Sequence, residues 1–239
     1  IGNFSSYEEG IRAFERAQAI FEKIDPDHIG VAWCLNDRAR RLVSRGDYAA
    51  ALPLMQRALE IKEKKLPADD PDLGNGLNNL GDVLTRLGDY RAAEPLLERA
   101  VALAEKHYDP EHPNVCASLS SLAQLLQASH RDAEAMPLFD RAVAIWGKRA
   151  SDGLELAETL NGRGLALLAL GQTDAAEADL KRALAIREKK LGRNAFDVAV
   201  TLEDYASLLR RTGRATQAEG LESRARAIRD QHSKSAGEQ

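Results

Sequence analysis

At 239 residues the chain is longer than one ordinary domain, while its low aromatic content (5%) and 29% charged residues, on a background of Leu and Ala, describe a helical protein with an aliphatic core. A formal net charge of -4 argues against nucleic acid as a partner, because a phosphate backbone is met by a clearly basic surface. No run of about 18 apolar residues is present to span a membrane.

In chain order, residues 4–25 first read as a lone amphipathic helix, but they align with the second half of a longer unit. Tyr7 falls where Tyr48 and Tyr90 stand, Arg16-Ala17 where Arg57-Ala58 and Arg99-Ala100 stand, and Ile20 where Ile61 and Leu103 stand. This alignment predicts a helix preceding residue 1 in a longer parent protein. Helix pairs are then expected at about 28–66, 71–108, 113–149, 154–191 and 196–231, together making one solenoid over 1–231. The polar segment 232–239, HSKSAGEQ, is expected to be a disordered tail.

The repeat is clearest from Pro71 to His112. There Leu77, Leu80, Leu84 and Leu87 form one helical stripe, which Gly88-Asp89 ends, and Ala93, Leu97, Ala100 and Leu103 form the stripe of the next helix. The turn position recurs at Gly46, Gly88, His130, Gly171 and Gly213, separated by 42, 42, 41 and 42 residues. Glycine there suits a left-handed residue after a helix end, and His130 departs from it. Relative to the turn, three columns do not vary in character. Leu35, Leu77, Leu119, Leu160 and Leu202 are core. Ala51, Ala93, Ala135, Ala176 and Ala218 mark a close helix crossing. So does the alanine of Arg57-Ala58, Arg99-Ala100, Arg141-Ala142, Arg182-Ala183 and Arg224-Ala225. Pro53, Pro95 and Pro137 recur near helix starts, where a missing N–H matters least. In the last repeat Glu222 and Arg226 replace apolar residues, as a soluble terminal cap requires.

Paired helices with a small residue on the first (Ala39, Gly81, Ala123, Gly164, Ala206), a Gly-Asp-Tyr turn and an alanine on the second resemble tetratricopeptide repeats. The 42-residue period, Leu-Asn-Asn-Leu-Gly at 77–81 and Ala-Ile-Arg-Glu-Lys-Lys-Leu-Gly at 185–192 resemble the kinesin light chain type of that family. The resemblance implies an all-α fold, a right-handed α-α superhelix, with a groove for short peptides gripped by asparagines.

Chemistry is weakly signalled. Gly76 to Gly81 has phosphate-loop glycine spacing but continues Asp82-Val83 in place of Lys and Ser or Thr, and no catalytic or cofactor motif appears. His107, Asp109, Glu111 and His112 cluster in one loop, and this is read as loop punctuation without a metal. Cys34 and Cys116 sit on first helices of different repeats, too far apart for a disulfide, so a reducing, cytoplasmic setting is expected.

The first helices carry the binding signal. One residue past the leucine column stand Asn36, Asn78, Ser120, Asn161 and Glu203; a turn further, Arg40, Asp82, Gln124, Leu165 and Ser207; then Val43, Thr85, Gln127, Leu168 and Arg210. Amides both donate and accept, so this face suits an extended peptide or protein segment, and Arg40, Arg86, Arg210 and Arg211 would attract acids in it. The competing reading is that Asn36, Asn78 and Asn161 brace neighbouring helices. Arg38 and Arg163 replace leucines (Leu80, Leu122) and either reach the rim or pair with acids. The expectation is a non-enzymatic interaction module. Its alternatives are a regulatory region of a larger protein with a catalytic or ATPase domain elsewhere, and a scaffold that self-assembles into a homodimer through the first helix.

Overall fold

The computed structural model describes residues 2–149 and 152–237, and among them every regular element is an α-helix. Helix α1 (Gly2–Ile24) is followed by five pairs: α2 (Ile29–Val43) with α3 (Tyr48–Lys65), α4 (Pro71–Arg86) with α5 (Tyr90–His107), α6 (Pro113–Ala128) with α7 (Asp132–Arg149), α8 (Leu154–Ala169) with α9 (Thr173–Leu191), and α10 (Phe196–Arg211) with α11 (Ala215–Gly237). Helix α11 runs past His232, so residues 232–237 are helical where a disordered tail was expected. No proline interrupts α11, and His232 is held at 3.0 Å from the Asn194 carbonyl. Ala150 and Ser151, residues 238 and 239 of the expected tail, and the side chain of Tyr7 lie outside the described residues. No helix among the described residues is long and apolar enough to cross a membrane.

The chain divides into two compact units, Ile1–Leu125 and Leu126–Gln239. In the first, α1 packs on α2, α2 on α3, α3 on α4 and α4 on α5; in the second, α7 packs on α8, α8 on α9, α9 on α10 and α10 on α11. Three of the pairs are closed by the same five positions. In the first unit Val31, Ala32 and Leu35 of α2 cover Ala58 and Ile61 of α3. In the second, Leu156, Ala157 and Leu160 cover Ala183 and Ile186, and Val198, Ala199 and Leu202 cover Ala225 and Ile228. The small column sits where the two helices of a pair come closest. A Cβ on Gly81 would lie 2.5 Å from Cγ and Cδ2 of Leu97, and one on Gly164 would lie 3.0 Å from Cγ of Leu180.

The turns explain why pairs form. Gly88 takes φ +83°, its N–H bonds the Thr85 carbonyl, and the N–H of Asp89 bonds the Leu84 carbonyl, which satisfies two of the last carbonyls of α4. The side chain of Asp89 then accepts from the N–H of Ala92 and opens α5. His130 makes the same turn at φ +61° without being glycine, with Arg131 N–H on the Leu126 carbonyl. Its Cβ is strained against the following carbonyl, so His130→Gly is expected to stabilise the protein by about 1 kcal/mol, read as a rise in the urea midpoint. An unchanged or lower midpoint would show that the turn carries no such strain. The prolines differ from expectation in one respect. Pro53, Pro95 and Pro137 are each the sixth residue of their helix, one turn beyond the start, and the helices run on unbroken because this face is exposed and water can take the freed carbonyl.

Candidate functional site

The face of the first helices is built by register. In the first unit the amide of Asn79 on α4 donates to Oδ1 of Asn36 on α2 at 3.1 Å. In the second, the amide of Asn161 on α8 donates to Asp204 Oδ2 on α10 at 2.7 Å. Both bonds span 43 residues, one more than the repeat, so an asparagine of one first helix meets the next first helix one position further along. Asn36 and Asn161 are therefore braces. The signal missed in the sequence is the column that supplies their partners, Asn79 and Asp204, each adjacent to the asparagine column.

Asn78 behaves differently. Its amide donates along its own helix to Asp82 at 3.3 Å, and its Oδ1 is buried with no hydrogen-bond partner among the described residues; the same holds for Oδ1 of Asn161. Such orphaned acceptors are costly to bury and call for a donor. Thr85 is turned back onto the Gly81 carbonyl at 2.8 Å. Ser120 is buried, Gln124 is half-buried, and Arg40 is 68% exposed with only a loose 3.8 Å contact to Asp37. In the second unit Gln127 is half-buried, while Arg210 is clamped by both oxygens of Glu222 on α11 at 2.6 and 2.7 Å. Glu203 is clamped likewise by Arg229. The ten candidates thus comprise two braces (Asn36, Asn161), one internal clamp (Arg210), two within-helix bonds (Asn78 to Asp82, and Thr85), and Ser120, Gln124, Gln127 and Arg40, of which Arg40 projects furthest into solvent.

Electrostatics follow the same division. Burial pushes the Asp204 carboxyl up, and the Asn161 amide offsets part of that. Glu177 on α9 receives Arg214, Lys181 and Tyr205, led by Arg214, and its pKa falls to about 2. This carboxylate ties α9 to α10 and to the turn that precedes α11. Arg38 and Arg163 both pair with acids. Arg38 reaches Glu15 and Gln18 on α1, and Arg163 grips Asp179 with two bonds of 2.7 and 2.9 Å and Asp140 with one of 3.0 Å.

The arginine of the invariant Arg-Ala pair has a role that the sequence reading did not assign. Arg99 bonds Glu63, 36 residues earlier, and the Ala68 carbonyl, 31 earlier; Arg224 bonds Glu188 and the Arg193 carbonyl at the same two offsets. Each clasps the preceding second helix and the loop that leaves it. Lys106 to Asp69 and Lys189 to Asp152, both 37 residues apart, add exposed pairs to the same seam. Each is worth little alone.

Two histidines cap helices. His112 Nδ1 accepts from the N–H of Asn114, its ring stacks on Tyr108 at 4.2 Å, and His28 Nδ1 caps α2 through the N–H of Gly30 in the same way. Cys34 and Cys116 are buried and not joined in a disulfide, and burial pushes the Cys34 thiol up, away from thiolate chemistry.

A family model described as tetratricopeptide repeat matches residues 5–64, 72–148 and 155–231. Among solved structures, a Podospora anserina putative kinesin light chain with nearly identical TPR-like repeats is 26% identical, with a TM-score of 0.62, over 86% of this chain and 98% of that one. BtubC (BKLC) from P. vanneervenii is 21% identical with a TM-score of 0.69, over 95% and 92%. A Rap protein complexed with competence and sporulation factor is 15% identical with a TM-score of 0.70, over 82% of this chain and 54% of that one. No curated protein matches the sequence.

Proposed function

Because the chain belongs to the tetratricopeptide repeat family, with repeats of the kinesin light chain kind, we propose that it is a non-catalytic interaction module that holds a peptide or protein segment along the exposed face of its first helices. The observation that carries this reading is the buried, unpartnered Oδ1 of Asn78, which sits beside Asp82 and one repeat from Arg40 on that face. An extended segment supplies what is missing, since its backbone N–H groups are donors spaced at about 3.3 Å per residue. A modest side-chain rotation at Asn78 exchanges its bond to Asp82 for one to the ligand. Arg40, exposed and loosely held, adds attraction for an acidic residue.

The reading is tested with a random dodecapeptide display library panned over the immobilised protein, the enriched peptides being measured by fluorescence anisotropy. Asn78→Ala combined with Gln124→Ala is expected to weaken binding about tenfold or more, roughly 1.4 kcal/mol, with an unchanged melting temperature. Enriched peptides that bind the double variant as tightly as the parent would overturn the assignment of this face.

A further inference from the structure

The brace between α8 and α10 is not a copy of the brace between α2 and α4. In the first unit the two side chains that meet are both amides, and Asn79 donates to Asn36, so the oxygen of Asn36 is satisfied. In the second unit the column of Asn79 holds Asp204, whose carboxylate can only accept. Asn161 therefore turns its NH2 to Asp204, 2.7 Å away, and its own oxygen is left over. That oxygen belongs to a residue only 7% exposed and has no hydrogen-bond partner among the described residues. One change of residue type thus sets a carboxylate and an orphaned acceptor side by side.

Asp204 is also short of positive charge. It is half-buried, burial pushes its carboxyl up, and the group bonded to it is a neutral amide. Arg187 opposes that shift through its field, but its guanidinium is engaged elsewhere, by the Asp197 carbonyl at 3.1 Å and by the Thr201 hydroxyl. Arg210 and Arg229 are likewise engaged, by Glu222 and Glu203. What the pair lacks is a positively charged donor. An asparagine at 204 would remove the deficit within the chain, as Asn79 does in the first unit. A chain that keeps the less satisfied residue breaks a local rule, and such breaks are characteristic of functional positions.

The surroundings narrow the donor to one side chain. Leu165, half-buried, follows Asn161 by one turn of α8, and Ser207, exposed, follows Asp204 by one turn of α10. An unbranched apolar stem lies along Leu165, and a compact head with three donors matches three acceptors: the Asp204 carboxylate, Asn161 Oδ1 and the Ser207 hydroxyl. A guanidinium fits less well, because its planar fork seeks both oxygens of a carboxylate and Oδ2 of Asp204 already accepts from Asn161.

We propose that the second unit binds a lysine side chain of the held segment, with its ammonium on Asp204, Asn161 Oδ1 and Ser207. This rests on the reading of the first-helix face as the ligand face and adds a charge preference to it. The first unit offers Arg40 to an acid, and the second offers acceptors to a base.

The probe is a capped tripeptide with lysine between two alanines, titrated at low salt into the whole protein labelled with nitrogen-15; the same tripeptide with norleucine or arginine in the centre is the comparison. The side-chain NH2 resonances of Asn161 are expected to shift and saturate in the millimolar range with lysine, to stay in place with norleucine, and to need about tenfold more of the arginine peptide. Asp204→Asn weakens lysine binding about tenfold and raises the urea midpoint, because it restores the amide pair of the first unit. Ser207→Lys, at an exposed position, puts an ammonium of the protein's own beside Asp204 and abolishes the shift. Asn161 resonances that do not move, or that move equally with norleucine or arginine, overturn the proposal. So does an Asp204→Asn protein that binds the lysine peptide as the parent does or fails to gain stability. Failure of the proposed function is read separately, as library peptides indifferent to Asn78→Ala with Gln124→Ala; both substitutions lie in the first unit and leave the lysine titration at Asn161 unchanged.

Discussion

Arg163→Leu is expected to destabilise the protein by about 3–5 kcal/mol, and adding Asp179→Leu is expected to return stability to within about 1 kcal/mol of the parent. The reason is the environment of the pair. Side-chain exposure is only 20% for Arg163 and 10% for Asp179, and two bonds of 2.7 and 2.9 Å join them. Removing the guanidinium strands a desolvated carboxylate, whose remaining neighbours do not replace a bidentate partner. The second substitution removes the stranded charge and recreates a pairing present elsewhere in the chain, because the same two columns hold Leu80 with Leu96 and Leu122 with Leu138. Urea unfolding of the two single variants and the double variant gives the coupling directly. Single-variant costs that simply add in the double would show that the pair is not coupled.

Gly81→Val is expected to cost about 3 kcal/mol, near the upper end for overpacking. The first added carbon would already stand 2.5 Å from two carbons of Leu97, which is itself fully buried, and valine adds two methyl groups with a stiff χ1. Gly81→Ala should cost less, and combining it with Leu97→Met should recover most of that loss, since the corresponding positions of the first repeat are Ala39 and Met55 and both are buried there. A Gly81→Val protein with the parent's urea midpoint would mean that α4 and α5 separate at little cost, contrary to the tight crossing.

The sequence carried the scaffold almost completely, because the scaffold depends on positions within one repeat. The turn column, the leucine stripe and the small residue opposite Leu97 are all legible by laying five copies side by side, and even the departure at His130 falls on the left-handed residue. The candidate site was legible only in part, since its geometry depends on how one first helix lies beside the next. Asn36 and Asn161 belong to a single column, yet their partners Asn79 and Asp204 lie one position over in the following repeat, an offset set by helix packing. Arg163 is the instructive case. Its choice between the rim and an acid is decided by Asp179, which breaks a leucine column in the same repeat, so the two departures announce each other.

Helices α1 and α11 differ in a way that bears on assembly. Helix α1 presents Ile20 and Ile24 to solvent, whereas among the described residues of α11 no large apolar side chain is exposed, and Glu222 and Arg226 stand on that helix where earlier repeats are aliphatic. A head-to-tail contact propagates into a filament only when one end is complementary to the other. Among the described residues α11 offers Ile20 and Ile24 of α1 no exposed apolar counterpart, so these two helices are not complementary surfaces for a contact between copies.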